Sequence, residues 1–378
     1  MKAVSIRGNS ANEIKSELAK SMAGGFKPTL AIVFLPVDVD INGVSELFEK
    51  KGIAVFGASS YGHFIDKNYE KDSIVAMLLD IDPKYFRLVI RETGNSTTKQ
   101  VAALIGEEGK STFANPSFIV ASGGIKTDGD MVVQGLLEGT GKPSSIFGCR
   151  AGSDLNMIKT FVFTNGKISE DGIIAIILDD EKINVKGLAV GGWQPVGMFR
   201  TITKSEGNVV YTFDDLPALD TVLRYSGANM SQLRNEGDIL RLASVFQLQL
   251  HRENANPIMR TPMYANFDDK SVVFAGSVPQ GSKVKFSLLP GFEVIDNLIS
   301  EYTAYQKQIN SADAMVLFSC KGRELALGPW IGEEIERIQQ IWDSPLVGSF
   351  TFGEIGCDKN GNSEFYNMTC SLVLLNEI

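Results

Sequence analysis

Short apolar runs that end in glycine or small polar residues recur along the chain. The run at 29–35, TLAIVFL, is continuous rather than alternating, which is typical of a strand covered on both faces. Similar runs predict further strands at 53–56, 73–79, 118–121 and 314–318. Apolar residues at helical spacing stand between several of these runs, so the pattern favours an alternation of strands and helices.

Three of the predicted strands lead into turns that carry two glycines. The turns read Gly57-ASSY-Gly62-His63, Gly148-CRA-Gly152-Ser153 and Gly348-SFTF-Gly353-Glu354. Glycine at a strand exit permits positive φ and a close approach of backbones. The recurring order of strand, loop, helix, strand, turn and strand indicates an internal repeat. The alternative, that any α/β protein shows strand–glycine–loop units, stays open at this stage.

Two connections are predicted from local sequence. Asn165-Gly166 is a strong hairpin signal and is predicted to join strands at 159–164 and 172–178. The stretch 58–72 is predicted to be a polar loop, which would leave His63 exposed to solvent.

The middle of the chain has a different pattern. Segments 182–190, 197–203 and 208–213 are predicted to form an antiparallel meander, and short helices follow at 216–242. We predict an α/β (α+β mixed) fold whose mixed β-sheets are flanked by helices. Its two domains would span 1–220 and 221–378.

Composition and charge restrict the classes of molecule that the protein is expected to bind. The 378 residues include 36 Lys+Arg and 45 Asp+Glu, which gives a formal net charge of −9. This balance argues against nucleic acid and against an anionic membrane surface as the main partner. The sequence shows neither a membrane-spanning run nor a signal peptide, and its 4 cysteines form no disulfide framework, so we expect a cytoplasmic protein.

Sequence motifs for common catalytic and metal sites are missing. There is no G-x-G-x-x-G, P-loop, G-x-S-x-G, C-x-x-C or H-E-x-x-H motif. A cysteine nucleophile at Cys149 or Cys320 would need His63 or His251 as its base. We therefore expect no catalytic residues and no metal site. Haem with His63 as axial ligand stays an alternative, because one histidine suffices for it.

Charged residues stand at predicted strand exits, where open α/β sheets bind ligands. Arg323 follows a strand end and could hold a carboxylate in a bidentate pair. Arg150 is a second candidate anion holder. Glu354 could hold an ammonium group or pair with Arg323.

Four further residues complete the predicted ligand site. Trp193 offers an aromatic wall or a core side chain, and Cys320 is either a small buried residue or a thiol that lines the pocket. Asn367 and Thr369 alternate along the last predicted strand, so they share a face. That face would look onto the crevice or onto a buried polar network.

At these residues the chain resembles the FIST family, which carries paired FIST N and FIST C domains. The resemblance runs through Gly123-Gly124, 148–154, 160–178, 192–197 and 216–219 in the first half. In the second half it runs through 312–314, 319–323, 333–335, 353–355 and 367–369. The predicted domains are accordingly FIST N-like (1–220) and FIST C-like (221–378).

The resemblance implies an intracellular sensory module for small ligands, with amino acids suggested. Its members are often encoded beside, or fused to, bacterial signalling proteins, and some resemble haem-based nitric oxide sensors. The first turn here reads Gly62-His63 where the family commonly shows Gly-Glu, which leaves the haem alternative open.

The combined hypothesis is a non-catalytic cytoplasmic protein that binds a small polar ligand. Its output would run through a separate signalling protein such as a histidine kinase, because the sequence shows no kinase, cyclase or F-box segment. The alternatives are a haem gas sensor, a cysteine-dependent enzyme and a scaffold without a ligand.

Overall fold

The computed structural model describes residues 1–124, 127–153, 159–243, 246–253, 255–288 and 291–378. Asp154, at the end of one segment of the family resemblance, lies outside these residues. None of the described helices is both long and apolar enough to span a bilayer.

The described residues form an α/β structure rich in short strands. In chain order the strands are β1 (Ala3–Gly8), β2 (Leu30–Leu35), β3 (Ala54–Ser59), β4 (His63–Ile65), β5 (Asn68–Glu70), β6 (Ile74–Leu79), β7 (Phe86–Arg91), β8 (Pro116–Ser122), β9 (Ile146–Arg150), β10 (Val162–Thr164), β11 (Lys167–Ser169), β12 (Ile173–Asp179), β13 (Ile183–Val190), β14 (Pro195–Glu206), β15 (Val209–Phe213), β16 (Leu216–Pro217), β17 (Phe246–Leu250), β18 (Ile258–Arg260), β19 (Pro262–Ala265), β20 (Val272–Phe274), β21 (Lys283–Leu288), β22 (Ala314–Cys320), β23 (Leu346–Thr351), β24 (Glu354–Cys357), β25 (Ser363–Tyr366) and β26 (Cys370–Glu377).

Helices connect the two strands of each parallel pair, and several helices begin at a side-chain cap. Thr97 forms a capping box with Gln100, and Asp40 and Asp128 accept hydrogen bonds from first-turn amides. In chain order the helices are α1 (Ala11–Met22), α2 (Ile41–Glu49), α3 (Thr98–Thr112), α4 (Gly129–Thr140), α5 (Ala218–Ser226), α6 (Ile239–Ala243), α7 (Glu293–Gln306), α8 (Lys321–Leu327) and α9 (Ile331–Trp342).

Three six-stranded sheets repeat one strand order. The orders are β1-β6-β2-β3-β10-β11, β7-β12-β8-β9-β24-β25 and β13-β26-β22-β23-β4-β5. In each sheet the two central strands of the repeat are parallel, and the other pairings are antiparallel. The structure therefore confirms both the mixed α/β fold and the internal repeat.

The repeats exchange their hairpins in a ring. The hairpin β4–β5 of the first repeat joins the third sheet, where β4 pairs with β23. The hairpin β24–β25 of the third repeat joins the second sheet through β9, and β10–β11 of the second repeat joins the first through β3. Each repeat thus completes the sheet of another repeat.

The inner faces of the three sheets meet in one central core. Phe34, Ile119 and Phe318, one from each sheet, belong to this core and are fully buried. The outer faces pack against the helices in separate clusters. Burial on both faces is the physical reason why the strand at 29–35 reads as a continuous apolar run.

A fourth sheet is inserted between β13 and α7. Its order is β18-β17-β21-β14-β15-β20-β19, with β16 paired to β15, and it has its own core around Phe246 and Phe286. The predicted meander is wrong in its first strand, because β13 pairs with β26 of the third sheet.

Two local predictions also need correction. Asn165-Gly166 does form a hairpin, but it joins β10 to β11, whereas β12 lies in another sheet. The polar loop predicted at 58–72 contains the hairpin β4–β5, and His63 is buried in it.

The predicted division at residue 220 remains a prediction about domains, although the sheets do not follow it. The second sheet combines β7, β8, β9 and β12 with β24 and β25, and the third combines β4, β5 and β13 with β22, β23 and β26.

Candidate functional site

A cavity of about 290 Å³ opens beside Trp193, where the third sheet meets the inserted sheet. We call it the Trp193 cavity. Positive φ at Gly192 (+80°) turns the chain out of β13 toward β14 and places Trp193 in the wall. The cavity is lined by Ala189, Gly191, Gly192, Trp193, Gln194, Gln249, Asn256, Pro257, Met259, Asn297, Ser300, Glu301, Tyr366 and Thr369.

The polar lining consists mainly of amides and hydroxyls. Gln249 is buried and donates to the Trp193 carbonyl oxygen at 3.2 Å and to the Ser287 hydroxyl at 2.7 Å. Asn297 and Glu301 lie one turn apart on α7, and Glu301 pairs with Lys359 at 3.0 Å. The cavity can therefore offer both donors and acceptors to a small polar molecule.

Glu354 lies behind the wall that Thr369 forms. The carboxyl group is fully buried and accepts hydrogen bonds from the Thr369 hydroxyl at 2.9 Å, the Thr369 amide at 3.2 Å and the Thr351 hydroxyl at 2.7 Å. Burial raises the pKa of Glu354 to about 8, against the opposing effect of these hydrogen bonds. The side chain is thus mostly protonated at pH 7.

Arg323 supports the cavity wall from beneath. Its fully buried guanidinium forms a bidentate pair with Glu334, with Nε–Oε1 at 2.8 Å and Nη2–Oε2 at 2.5 Å. Nη1 donates to the carbonyl oxygens of Gly191 and Met368. The guanidinium lies 5.2 Å from the Trp193 ring. These contacts connect Arg323 to the wall of the Trp193 cavity, whose lining does not include it.

Cys320 and Asn367 lie in the same buried region without lining the Trp193 cavity. Burial raises the pKa of the Cys320 thiol, and the nearby Glu354 raises it further. The Oδ1 atom of Asn367 is buried and has no hydrogen-bond partner among the described residues. Asn367 Nδ2 lies near Gly353, so the residue packs against the third glycine turn.

Arg150 lies in a different cavity, of about 460 Å³, which we call the Arg150 cavity. Its backbone connects it to the third turn, because the Arg150 amide donates to the Gly353 carbonyl oxygen at 2.9 Å. The lining also includes Asp128, Tyr264 and Phe352. Burial lowers the pKa of Arg150, against the effect of Asp128.

The predicted site residues therefore divide into groups. Trp193 and Thr369 line one cavity, with Glu354 and Arg323 directly behind it, whereas Arg150 lines another. None of the three charged residues lies on an open solvent-facing surface. The assignment of all seven residues to one ligand site stays a prediction.

The haem and cysteine-enzyme alternatives both depend on where His63 and His251 lie. His63 is fully buried, and burial lowers its pKa to about 3. It lines neither the Trp193 cavity nor the Arg150 cavity. His251 lies against Phe199 with ring centroids 5.0 Å apart. Neither histidine is hydrogen-bonded to a cysteine in the described part of the chain, and all 4 thiols are buried.

Several lining residues were missed in the sequence. Gln249 belongs to the run FQLQL of β17, in which both glutamines are buried, so polar residues inside a short apolar strand were the available signal. Asn297, Ser300 and Glu301 share the polar side of α7. Their spacing of three and four residues was visible, but what that side faces was not.

Comparisons with known protein families identify two domains in this chain. The FIST N domain model matches residues 29–216, and the FIST C domain model matches residues 218–357. A search of curated proteins finds no match. FIST domains are generally considered small-ligand sensory domains of signal transduction. Residues from both matched regions line the Trp193 cavity. The two matches together cover most of the chain, which therefore belongs to the FIST family.

Proposed function

We propose that this protein is a non-catalytic cytoplasmic sensor that binds a small polar metabolite in the Trp193 cavity. An amino acid is the first ligand to test. The observation that carries the proposal is the cavity itself, whose amides, hydroxyls and single carboxylate surround one aromatic wall among the described residues. Its volume lies near the lower end of the range of about 300–1,000 Å³ for small-molecule sites. That size favours a metabolite over a large cofactor.

The lining suits a ligand with an ammonium group. The Glu301 carboxylate lies in the cavity wall and can bind the ammonium group. Its ion pair with the exposed Lys359 is weak and can be replaced. Side-chain amides of Gln194, Asn256 and Asn297 can donate to a ligand carboxylate. This assignment changes the role expected for Arg323. Arg323 would position the cavity wall, and neutral side-chain donors would bind the ligand carboxylate.

The position of the cavity suggests how binding would be transmitted. Its walls come from the turn after β13, from the inserted sheet and from α7. A ligand that contacts all three would favour one arrangement of these elements. A separate signalling protein, such as a histidine kinase, would then recognise that arrangement.

A calorimetric screen of the proteinogenic amino acids against the purified chain tests the proposal. We expect at least one to bind, and Glu301→Gln to weaken that ligand about tenfold through loss of the ammonium partner. Glu49→Gln removes the same charge from an exposed position on α2 and should leave binding unchanged.

Two results would contradict the proposal. One is the absence of binding by every amino acid together with a panel of short amines and hydroxy acids. The other is a ligand whose affinity is the same in Glu301→Gln, Asn297→Ala and the unchanged protein. A covalent product released from the ligand would contradict the non-catalytic part alone.

A further inference from the structure

A cleft of about 380 Å³ lies between the first glycine turn and the helices α8 and α9. We call it the Lys321 cleft. It is separate in its lining from both cavities described above. Its walls are Tyr61, Tyr69, Lys71, Lys321, Glu324, Leu325, Gly328, Pro329, Ile331 and Gly332.

Two lysine ammonium groups converge on one aromatic ring in this cleft. Lys321 is 5% exposed, and its Nζ lies 3.8 Å from the centroid of the Tyr61 ring. Lys71 approaches the same ring, with Nζ at 5.6 Å from the centroid. Like charges held this close repel each other, and a buried ammonium also loses hydration. An anion placed between them would offset both costs.

The cleft contains too little negative charge of its own. Glu324 is the one carboxylate in the described lining, and it pairs with Lys321. The same carboxylate also accepts a hydrogen bond from the Tyr69 hydroxyl at 2.7 Å. Lys71 makes no ion pair within the described ranges, so the lining carries two positive charges and one negative charge. Burial lowers the pKa of Lys321, Lys71 lowers it further, and Glu324 opposes both effects.

The construction of the cleft resembles that of the Arg150 cavity. Tyr61 and Phe352 each precede the second glycine of their turn, and each lines a cavity. In both cases a buried cation from another strand end completes the wall, Lys321 in one and Arg150 in the other. The ring of repeats therefore builds the same kind of cavity twice, and of these two the Lys321 cleft has two lysines in its described lining.

We propose that the Lys321 cleft is a second binding site, for a small organic anion held between Lys71 and Lys321. The anionic head would be a carboxylate or a phosphate. The body would be apolar, because Leu325, Pro329 and Ile331 form the remaining wall. Bound in this way, the anion would connect the first hairpin to α8 and α9.

Titration calorimetry with benzoate and phenyl phosphate as probes tests this site, with benzyl alcohol as the uncharged probe. We expect at least one anionic probe to bind and benzyl alcohol not to bind. Lys71→Met should weaken binding about tenfold, because it removes one of the two cations from the site. Lys67→Met is the matched control, since Lys67 is exposed on the same hairpin but does not line the cleft. It should change affinity less than about twofold.

The remaining variants separate the possible outcomes. Tyr69→Phe removes one hydrogen bond to Glu324 and should strengthen the ion pair between Glu324 and Lys321. Because that ion pair competes with the anion for Lys321, the affinity for the anion should fall. Glu301→Gln, in the Trp193 cavity, should leave the probes unaffected, so this site can fail or succeed independently of the proposed sensor function. Absence of binding by both anions overturns the proposal, as does an equal effect of Lys67→Met and Lys71→Met.

Discussion

The first and third glycine turns place two different ionisable residues at equivalent positions. His63 follows Gly62 (φ +98°) and Glu354 follows Gly353 (φ +133°), and both side chains are fully buried. Burial lowers the pKa of His63 to about 3 and raises that of Glu354 to about 8. One is a base and the other an acid, yet at pH 7 burial leaves His63 neutral and Glu354 mostly neutral.

The two residues differ in what holds them. Neither ring nitrogen of His63 makes a hydrogen bond of ordinary length and angle among the described residues, although the Leu35 backbone lies close enough to oppose the effect of burial on the His63 pKa, so packing does most to fix the ring. Glu354 belongs to a polar network instead. The Thr351 hydroxyl lies 3.2 Å from the Ser319 carbonyl oxygen and 2.7 Å from Glu354 Oε1. When Glu354 is protonated, the hydroxyl can therefore donate to the Ser319 carbonyl oxygen and accept a hydrogen bond from the carboxyl O–H. The same backbone turn can thus carry either a packed ring or an oriented acid next to a cavity.

The largest expected effect comes from the glycines of the two turns. A Cβ at Gly353 would lie 2.3 Å from the Phe365 ring, whereas at Gly62 its nearest contact would be Tyr69 at 2.9 Å. We expect Gly353→Ala to lower the free energy of unfolding by about 4 kcal/mol and Gly62→Ala by about 2 kcal/mol. Urea unfolding of both variants measures the difference. Equal losses would mean that the two turns tolerate a side chain alike.

The next effect is the pH dependence contributed by Glu354. The folded-state pKa of about 8 exceeds the ordinary value of 4.5, so its stabilisation is complete below pH 4.5 and is lost as pH rises to 8. Glu354→Gln has no such loss. Between these pH values its stability should rise relative to the unchanged protein by on the order of 4 kcal/mol. Glu49→Gln should show no relative change, and a parallel profile for Glu354→Gln would contradict the shifted pKa.

His63 should give the opposite slope. Its folded-state pKa of about 3 lies below the ordinary 6.5, so its stabilisation is complete above pH 6.5 and is lost as pH falls toward 3. His63→Leu removes the titration and should gain about 2 kcal/mol relative to the unchanged protein between pH 7 and pH 5. Thermal unfolding at several pH values measures this gain. His251→Leu, at the exposed histidine, serves as the control and should not reproduce it.

The smallest effect concerns the Thr351 hydroxyl, which contacts Glu354 in the third turn. Thr351→Val removes one hydrogen bond to Glu354 and should cost about 1 kcal/mol. In the Glu354→Gln background the cost should differ, because the two side chains are in contact. A double-mutant cycle at pH 6 measures this coupling, and strictly additive losses would show that the network does not act as a unit.

The fold was accessible from the sequence to the extent that local pattern determines it. Continuous apolar runs and paired glycines identified many of the strands, the turns and the threefold recurrence, but not β1 or β7. The exchange of hairpins was not accessible, because β4 and β23 are separated by most of the chain and no local signal selects the partner of a short strand. His63 was predicted to be exposed for the same reason.

The candidate site was predictable in part. Trp193 was identified next to a pair of glycines and Thr369 from the alternation along the last predicted strand, and both line the cavity. Arg323 was identified as an anion holder, but its partner Glu334 lies on the next helix and occupies the guanidinium. A sequence shows that an arginine stands at a strand end, but it does not show which carboxylate forms an ion pair with it in the folded chain.

The ring of exchanged hairpins has a consequence for biosynthesis. The hairpin β4–β5 emerges early in translation, but its partner strand β23 is made near the end. Until then the first repeat exposes a strand edge that nothing covers, which is a known route to aggregation. We therefore expect native structure to form late and slowly, with nascent chains that depend on chaperones until the last repeat has left the ribosome.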